Sequence, residues 1–137
     1  MKPYRFLYTP LTGLPEGMPF VDLQLSRNDR RISVSALIDS GCALNILPFD
    51  VGLELGFTWE KQTFPPDVTG VLKGTQAYAV LVQAALAPFP SLDLAFAWVS
   101  MPSTDVRVLL GQVNFFKEYN VYFYGHQHAF EIVPRAS

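Results

Sequence analysis

Eleven prolines and nine glycines are spread through the 137 residues, and they leave little room for a long helix anywhere. Proline breaks helix interiors and is disfavoured in central strands, so prolines and glycines together cut the sequence into short pieces. The pieces between them are rich in Val, Leu, Phe and Tyr. Short β-prone runs with turn signals at close intervals predict an all-β sandwich or barrel. The length suits one domain, residues 1–137, with enough chain to bury a core.

Residues 1–19 carry Pro3, Pro10, Pro15 and Pro19 and read as an extended N-terminal arm. Val21-Asp22-Leu23-Gln24-Leu25 then alternates apolar and polar, as a half-buried strand does. Ser26 to Arg30 is a polar turn, and Arg31 to Ile38 runs back as a second strand. Pro48 is suited to the first position of a short helix, with Asp50 in its first turn and Gly56 closing it. Gly52 in the interior weakens that helix by about 1 kcal/mol relative to alanine. A polar stretch, Glu60 to Asp67, leads to a glycine-bearing hairpin over Val68 to Ala77. Tyr78–Ala87 and Leu92–Val99 read as strands, and Val106–Gly111 as a buried strand ending in glycine. A short helix over Asn114–Tyr119 has Phe115, Phe116 and Tyr119 as its core face. The last hairpin turns at Gly125-His126-Gln127-His128 and returns through Phe130-Glu131-Ile132.

Within this pattern Ser35-Ala36-Leu37-Ile38-Asp39-Ser40-Gly41-Cys42-Ala43 stands apart. An apolar run delivers one carboxylate into a Ser-Gly turn, and apolar chain resumes at once. An ionised carboxylate is costly to desolvate, so a strand of this kind has no structural use for one without a partner or a chemical role. None of the other acidic residues sits in a matching loop: Asp67-Val68-Thr69-Gly70 has an inserted residue.

Composition narrows the function classes. A net charge of −2 with scattered lysines and arginines gives no nucleic-acid footprint and no basic patch for anionic membranes. The most apolar stretches are Ala77–Leu86, interrupted by Gln83, and Leu92–Met101, containing Asp93. Both fall short of the roughly 18–20 residues that span a bilayer. Met1 to Phe6 lacks the apolar region of a signal peptide, and the single cysteine excludes an intrachain disulfide framework, so a cytoplasmic location is expected. Cys42 itself reads as a small buried hydrophobe. His126 and His128 have no cysteine or further histidine beside them, and neither a metal nor another cofactor is expected. Half of the residues are hydrophobic and mean hydropathy is +0.20, which implies that part of the surface is covered by a partner.

Two segments together resemble the retropepsin-like aspartic proteases, the single-lobed relatives of pepsin found in retroviruses, retroelements and some cellular genomes. Ala36 to Pro48 resembles the apolar-apolar-Asp-Ser/Thr-Gly active-site strand with its Asn-apolar-apolar-Pro continuation. Val108-Leu109-Leu110-Gly111-Gln112 is similar to the apolar-apolar-Gly strand that crosses behind the active-site loop. The resemblance implies a retropepsin-like barrel with one or two short helices, and Asp39 as catalytic residue. Aspartic proteolysis needs two carboxylates sharing a proton. The chain offers one Asp-Ser-Gly, so the implied site lies on the two-fold axis of a homodimer, with a peptide or protein as substrate.

By the same resemblance Ser40 would hydrogen-bond across the dyad and Gly41 would leave room for substrate backbone. Gly70, Val71, Leu72, Lys73 and Gly74 would form the flap that closes over a bound peptide, and Ile46 and Leu109 would line the subsites. Retroviral members usually place an arginine after the second-motif glycine, paired with an aspartate four residues beyond the catalytic one; those positions are Gln112 and Ala43 here. The terminal strands that knit the retroviral dimer have no match in residues 1–19 or 134–137. Two other readings stay open: a catalytically silent retropepsin-fold module for dimerisation or peptide binding, and an unrelated small barrel in which Asp39 is a turn residue.

Overall fold

The computed structural model describes residues 2–64 and 75–136. The predicted hairpin after the arm is present as β4 (Phe20–Arg27) and β5 (Arg30–Ile38), paired in register from Phe20↔Leu37 to Arg27↔Arg30. Its turn is tighter than Ser26–Arg30, because Asn28 takes a left-handed conformation (φ 57°) and closes it within two residues. The alternation read from the sequence is the burial pattern of β4, with Val21, Leu23 and Leu25 inside and Asp22 and Gln24 outside.

Those two strands belong to a closed six-stranded barrel in the order β4-β5-β9-β6-β8-β7. Its other members are β6 (Asn45–Leu47), β7 (Ala77–Ala85), β8 (Leu92–Val99) and β9 (Val108–Leu110). β5 and β9 run parallel through Ala36↔Val108, Leu37↔Leu109 and Ile38↔Leu110. β6 meets β9 antiparallel at Ile46↔Leu109 and runs parallel to β8 on its other side. The all-β expectation is met, with two short α-helices among the described residues, α1 (Phe49–Glu54) and α2 (Phe115–Glu118). Among the described residues no helix is long and apolar enough to cross a membrane.

Leu23, Leu25, Leu94, Phe96, Trp98, Leu110 and Phe115 fill the barrel and are at most 1% exposed. Trp98 is the hinge of one end of this core. Its ring stacks on Phe49 (centroids 5.7 Å apart, 11° between planes) and meets Trp59 edge-on at 4.9 Å, while Nε1 donates to the Phe49 carbonyl at 3.0 Å. Gly52, which looked like a weakness in α1, is what lets the helix lie on this indole: a Cβ at that position would fall inside the Trp98 ring. Pro48 is the N-cap rather than the first helical residue, and Gly56 N–H closes the helix on the Leu53 carbonyl.

The first 19 residues differ from the expected arm. They are extended, but they form β1 (Tyr4–Leu7), β2 (Thr9–Leu11) and β3 (Leu14–Met18). β1 pairs with β11 (Ala129–Pro134), which also pairs with β10 (Tyr119–Tyr124), giving a three-stranded sheet β1-β11-β10 built within one chain. Phe6 stacks on the fully buried Phe130 at 5.2 Å and fastens this sheet to the core. His126 and His128 lie exposed at the β10–β11 turn, with His128 Nε2 3.9 Å from a Glu16 carboxylate oxygen.

Candidate active site

The strand β5 ends with the buried Ile38, and the chain then turns. Asp39 N–H donates to the Leu110 carbonyl at 2.9 Å, which ties the turn to the end of β9. The Asp39 carbonyl accepts from Cys42 N–H at 3.1 Å, closing a four-residue turn over Ser40 and Gly41. Asp39 Oδ1 accepts from Gly41 N–H at 3.0 Å, a local carboxylate–backbone bond that holds the side chain over its own loop. Asp39 is half-buried, and Ser40 and Gly41 are exposed.

The second motif crosses directly behind this turn. Gln112 N–H donates to the Cys42 carbonyl and Val113 N–H to the Ala43 carbonyl, both at 2.9 Å, while Asn45 N–H returns to the Val113 carbonyl at 2.8 Å. Gly111 permits the approach: a Cβ there would strike the carbonyl oxygens of Cys42 and Leu44. The Gln112 side chain reaches further, with Nε2 donating to the Ser40 carbonyl at 2.7 Å. The two segments quoted as separate motifs are therefore one hydrogen-bonded unit.

Asn45 fastens this unit to the barrel. It is fully buried, and its Oδ1 accepts from Gly111 N–H at 2.8 Å. Its Nδ2 donates to the Ala95 carbonyl at 2.9 Å and to Asn114 Oδ1 at 3.0 Å; Asn114 Oδ1 also accepts from Ala95 N–H at 3.0 Å. A buried amide that satisfies partners on three elements fixes their relative positions. Neither Asn45 nor Asn114 nor Gln112 was assigned a site role from the sequence. A polar Asn45 inside Leu44-Asn45-Ile46-Leu47 is the same kind of signal that singled out Asp39.

Ile46 is 1% exposed and belongs to a small apolar cluster with Ala77, Ala97 and Val99; Leu109 is half-buried at the margin of that cluster. The expected flap residues Gly70, Val71, Leu72, Lys73 and Gly74 lie outside the described residues, and Ala77, expected at the end of the hairpin that contains them, opens β7. Cys42 is half-buried, and its thiol hydrogen points at the Leu44 carbonyl (Sγ···O 3.0 Å). Burial pushes its pKa up, a backbone hydrogen bond at Leu44 opposes the shift, and the charge of Asp39 adds to it.

A cleft of about 500 Å³ lies between the start of β5, α1 and residues 103–108, and none of Asp39, Ser40 and Gly41 lines it.

No protein-family model matches the sequence, and no curated protein matches it. A solved structure does: the crystal structure of a retropepsin-like aspartic protease from Rickettsia conorii superposes with a TM-score of 0.69, covering 96% of this chain and 91% of that one. The fold is retropepsin-like. With 10% of residues identical, the match establishes the architecture. A shared architecture does not by itself assign a function, which has to be argued from the residues of the site.

Proposed function

We propose that the protein is an aspartic endopeptidase whose active site forms between two copies of the chain, each contributing Asp39. The observation that carries this reading is the presentation of Asp39: a carboxylate at the end of a barrel strand, its loop exposed, its Oδ1 held by Gly41 N–H at 3.0 Å, in a retropepsin-like fold. One carboxylate cannot be general base and general acid in the same step, and the sequence has one Asp-Ser-Gly. Two-fold symmetry supplies the second from the same residue.

In the proposed reaction the ionised carboxylate takes a proton from water as the oxygen attacks the scissile carbonyl carbon. The protonated carboxyl of the other copy donates its proton to the carbonyl oxygen. The tetrahedral intermediate then collapses with a proton passed to the leaving amine. Half-buried Leu109, at the margin of the apolar cluster that encloses Ile46, supports a preference for apolar side chains beside the scissile bond, and the flap role is proposed for residues 70–74.

The test is hydrolysis of a mixed peptide library by the wild type and by Asp39→Asn, with sedimentation of both proteins. A dimer that cleaves as wild type and loses cleavage as Asp39→Asn is the expected result. Cleavage that survives the substitution, or a strict monomer at high concentration, would sink the proposal. A dimer in which neither protein cleaves would instead favour the catalytically silent module for dimerisation or peptide binding.

A further inference from the structure

One peptide group stands between the two motifs. The Ser40 carbonyl oxygen accepts from Gln112 Nε2 at 2.7 Å, and the amide of that same peptide group, Gly41 N–H, donates to Asp39 Oδ1 at 3.0 Å. A peptide group is planar and trans, with its C=O and N–H directed oppositely, so holding the oxygen sets the direction of the hydrogen. Gln112 is itself well anchored. Its backbone N–H donates to the Cys42 carbonyl at 2.9 Å, and the preceding Gly111 N–H is held by buried Asn45 at 2.8 Å.

We propose that Gln112 is a positioning residue for Asp39, acting through the Ser40–Gly41 peptide: by donating to the Ser40 carbonyl it aims Gly41 N–H at the carboxylate. Donation to a carbonyl also polarises the attached amide, strengthening the N–H as a donor by roughly 10–30%. The chain of bonds runs from Asn45 through Gly111 and Gln112 to Ser40, Gly41 and Asp39, and every link is a neutral amide until the carboxylate itself. At the position where retroviral members carry an arginine paired with an aspartate, this chain carries an uncharged latch. Its strength is therefore independent of ionic strength, unlike that of an exposed ion pair. The Gln112 side chain is exposed, so replacing it does not open the core.

The catalytic consequence rests on the protease reading; the effect on the Gly41 amide does not. The experiment follows that amide by ¹H–¹⁵N NMR hydrogen exchange in the full chain, together with peptide hydrolysis. Gln112→Met keeps the length and removes the donor; Gln112→Lys keeps a donor. In Gln112→Met, Gly41 exchange should accelerate about three- to tenfold, as expected for loss of one hydrogen bond. The kcat should fall by a similar factor with KM unchanged, and Gln112→Lys should restore both. Gly41 exchange unchanged in Gln112→Met, or a lysine variant that behaves like methionine, would overturn the proposal. If the Gly41 amide follows the expected pattern while the wild type cleaves no peptide, the latch stands and the protease reading fails.

Discussion

Gly52 gives helix propensity and tertiary packing opposite signs, so one substitution separates them. Glycine inside a helix costs about 1 kcal/mol against alanine, and on that ground alone Gly52→Ala should stabilise α1. The structure reverses the expectation. The new methyl would occupy the Trp98 indole, whose ring is fully buried, stacked on Phe49 and bonded through Nε1 to the Phe49 carbonyl at 3.0 Å. Moving the ring costs about 1–3 kcal/mol of overpacking and endangers a hydrogen bond worth about 1 kcal/mol. Against the gain in propensity, the net loss is about 2 kcal/mol, or roughly 5–10 °C in Tm for a domain of this size. Urea denaturation followed by tryptophan fluorescence is the assay, since the chain has two tryptophans and both, Trp59 and Trp98, sit in this cluster. In a Trp98→Leu background the same substitution should cost much less, because the clash has gone. A Gly52→Ala protein more stable than wild type would refute the packing argument and leave propensity as the dominant effect.

Three further outcomes follow from particular contacts. Asn45→Leu removes partners from Gly111 N–H, the Ala95 carbonyl and Asn114, and should cost about 3 kcal/mol in chemical denaturation, far more than a surface asparagine. Asp50 is drawn two ways: burial raises its pKa, but hydrogen bonds from the hydroxyl and backbone N–H of Ser103 outweigh this and hold it low. A depressed carboxylate stabilises the fold above its unfolded pKa and loses that contribution as pH falls through its folded pKa. Ser103→Ala should therefore cost about 1 kcal/mol or less at neutral pH, with the difference from wild type shrinking in acid. The raised thiol pKa of Cys42 means that iodoacetamide should alkylate it more slowly in the native protein than in urea at pH 8; equal rates would contradict its burial.

How much of this was readable in the chain depended on how local the cause was. β8 was expected at Leu92–Val99 and lies there, and the β4–β5 hairpin followed from five alternating residues and one polar turn. These are short-range signals, and short-range contacts satisfy them. Residues 1–19 were harder, because β1 takes its partner from β11 at the other end of the chain, Arg5 facing Glu131, and proline-rich sequence gives no alternation to read. The use of Gly52 was invisible for a related reason: Trp98 comes from a strand more than forty residues later. Asp39 stood out because a carboxylate in an apolar strand conflicts with its surroundings, and Asn45 obeys the same rule. Gln112 gave no such sign. Its role depends on reaching Ser40, 72 residues away in sequence, across a gap that Gly111 keeps narrow.

The central claim is that one active site needs Asp39 from two chains, and mixing tests it most directly. Wild type is combined with increasing Asp39→Asn protein at fixed total concentration, subunits are allowed to exchange, and peptide hydrolysis is measured per wild-type chain. If the dyad is shared, hybrids with a single aspartate are inactive, and activity per wild-type chain falls in proportion to the wild-type fraction. Activity per wild-type chain that stays constant, whatever the excess of Asp39→Asn, would contradict a site built from two copies of Asp39.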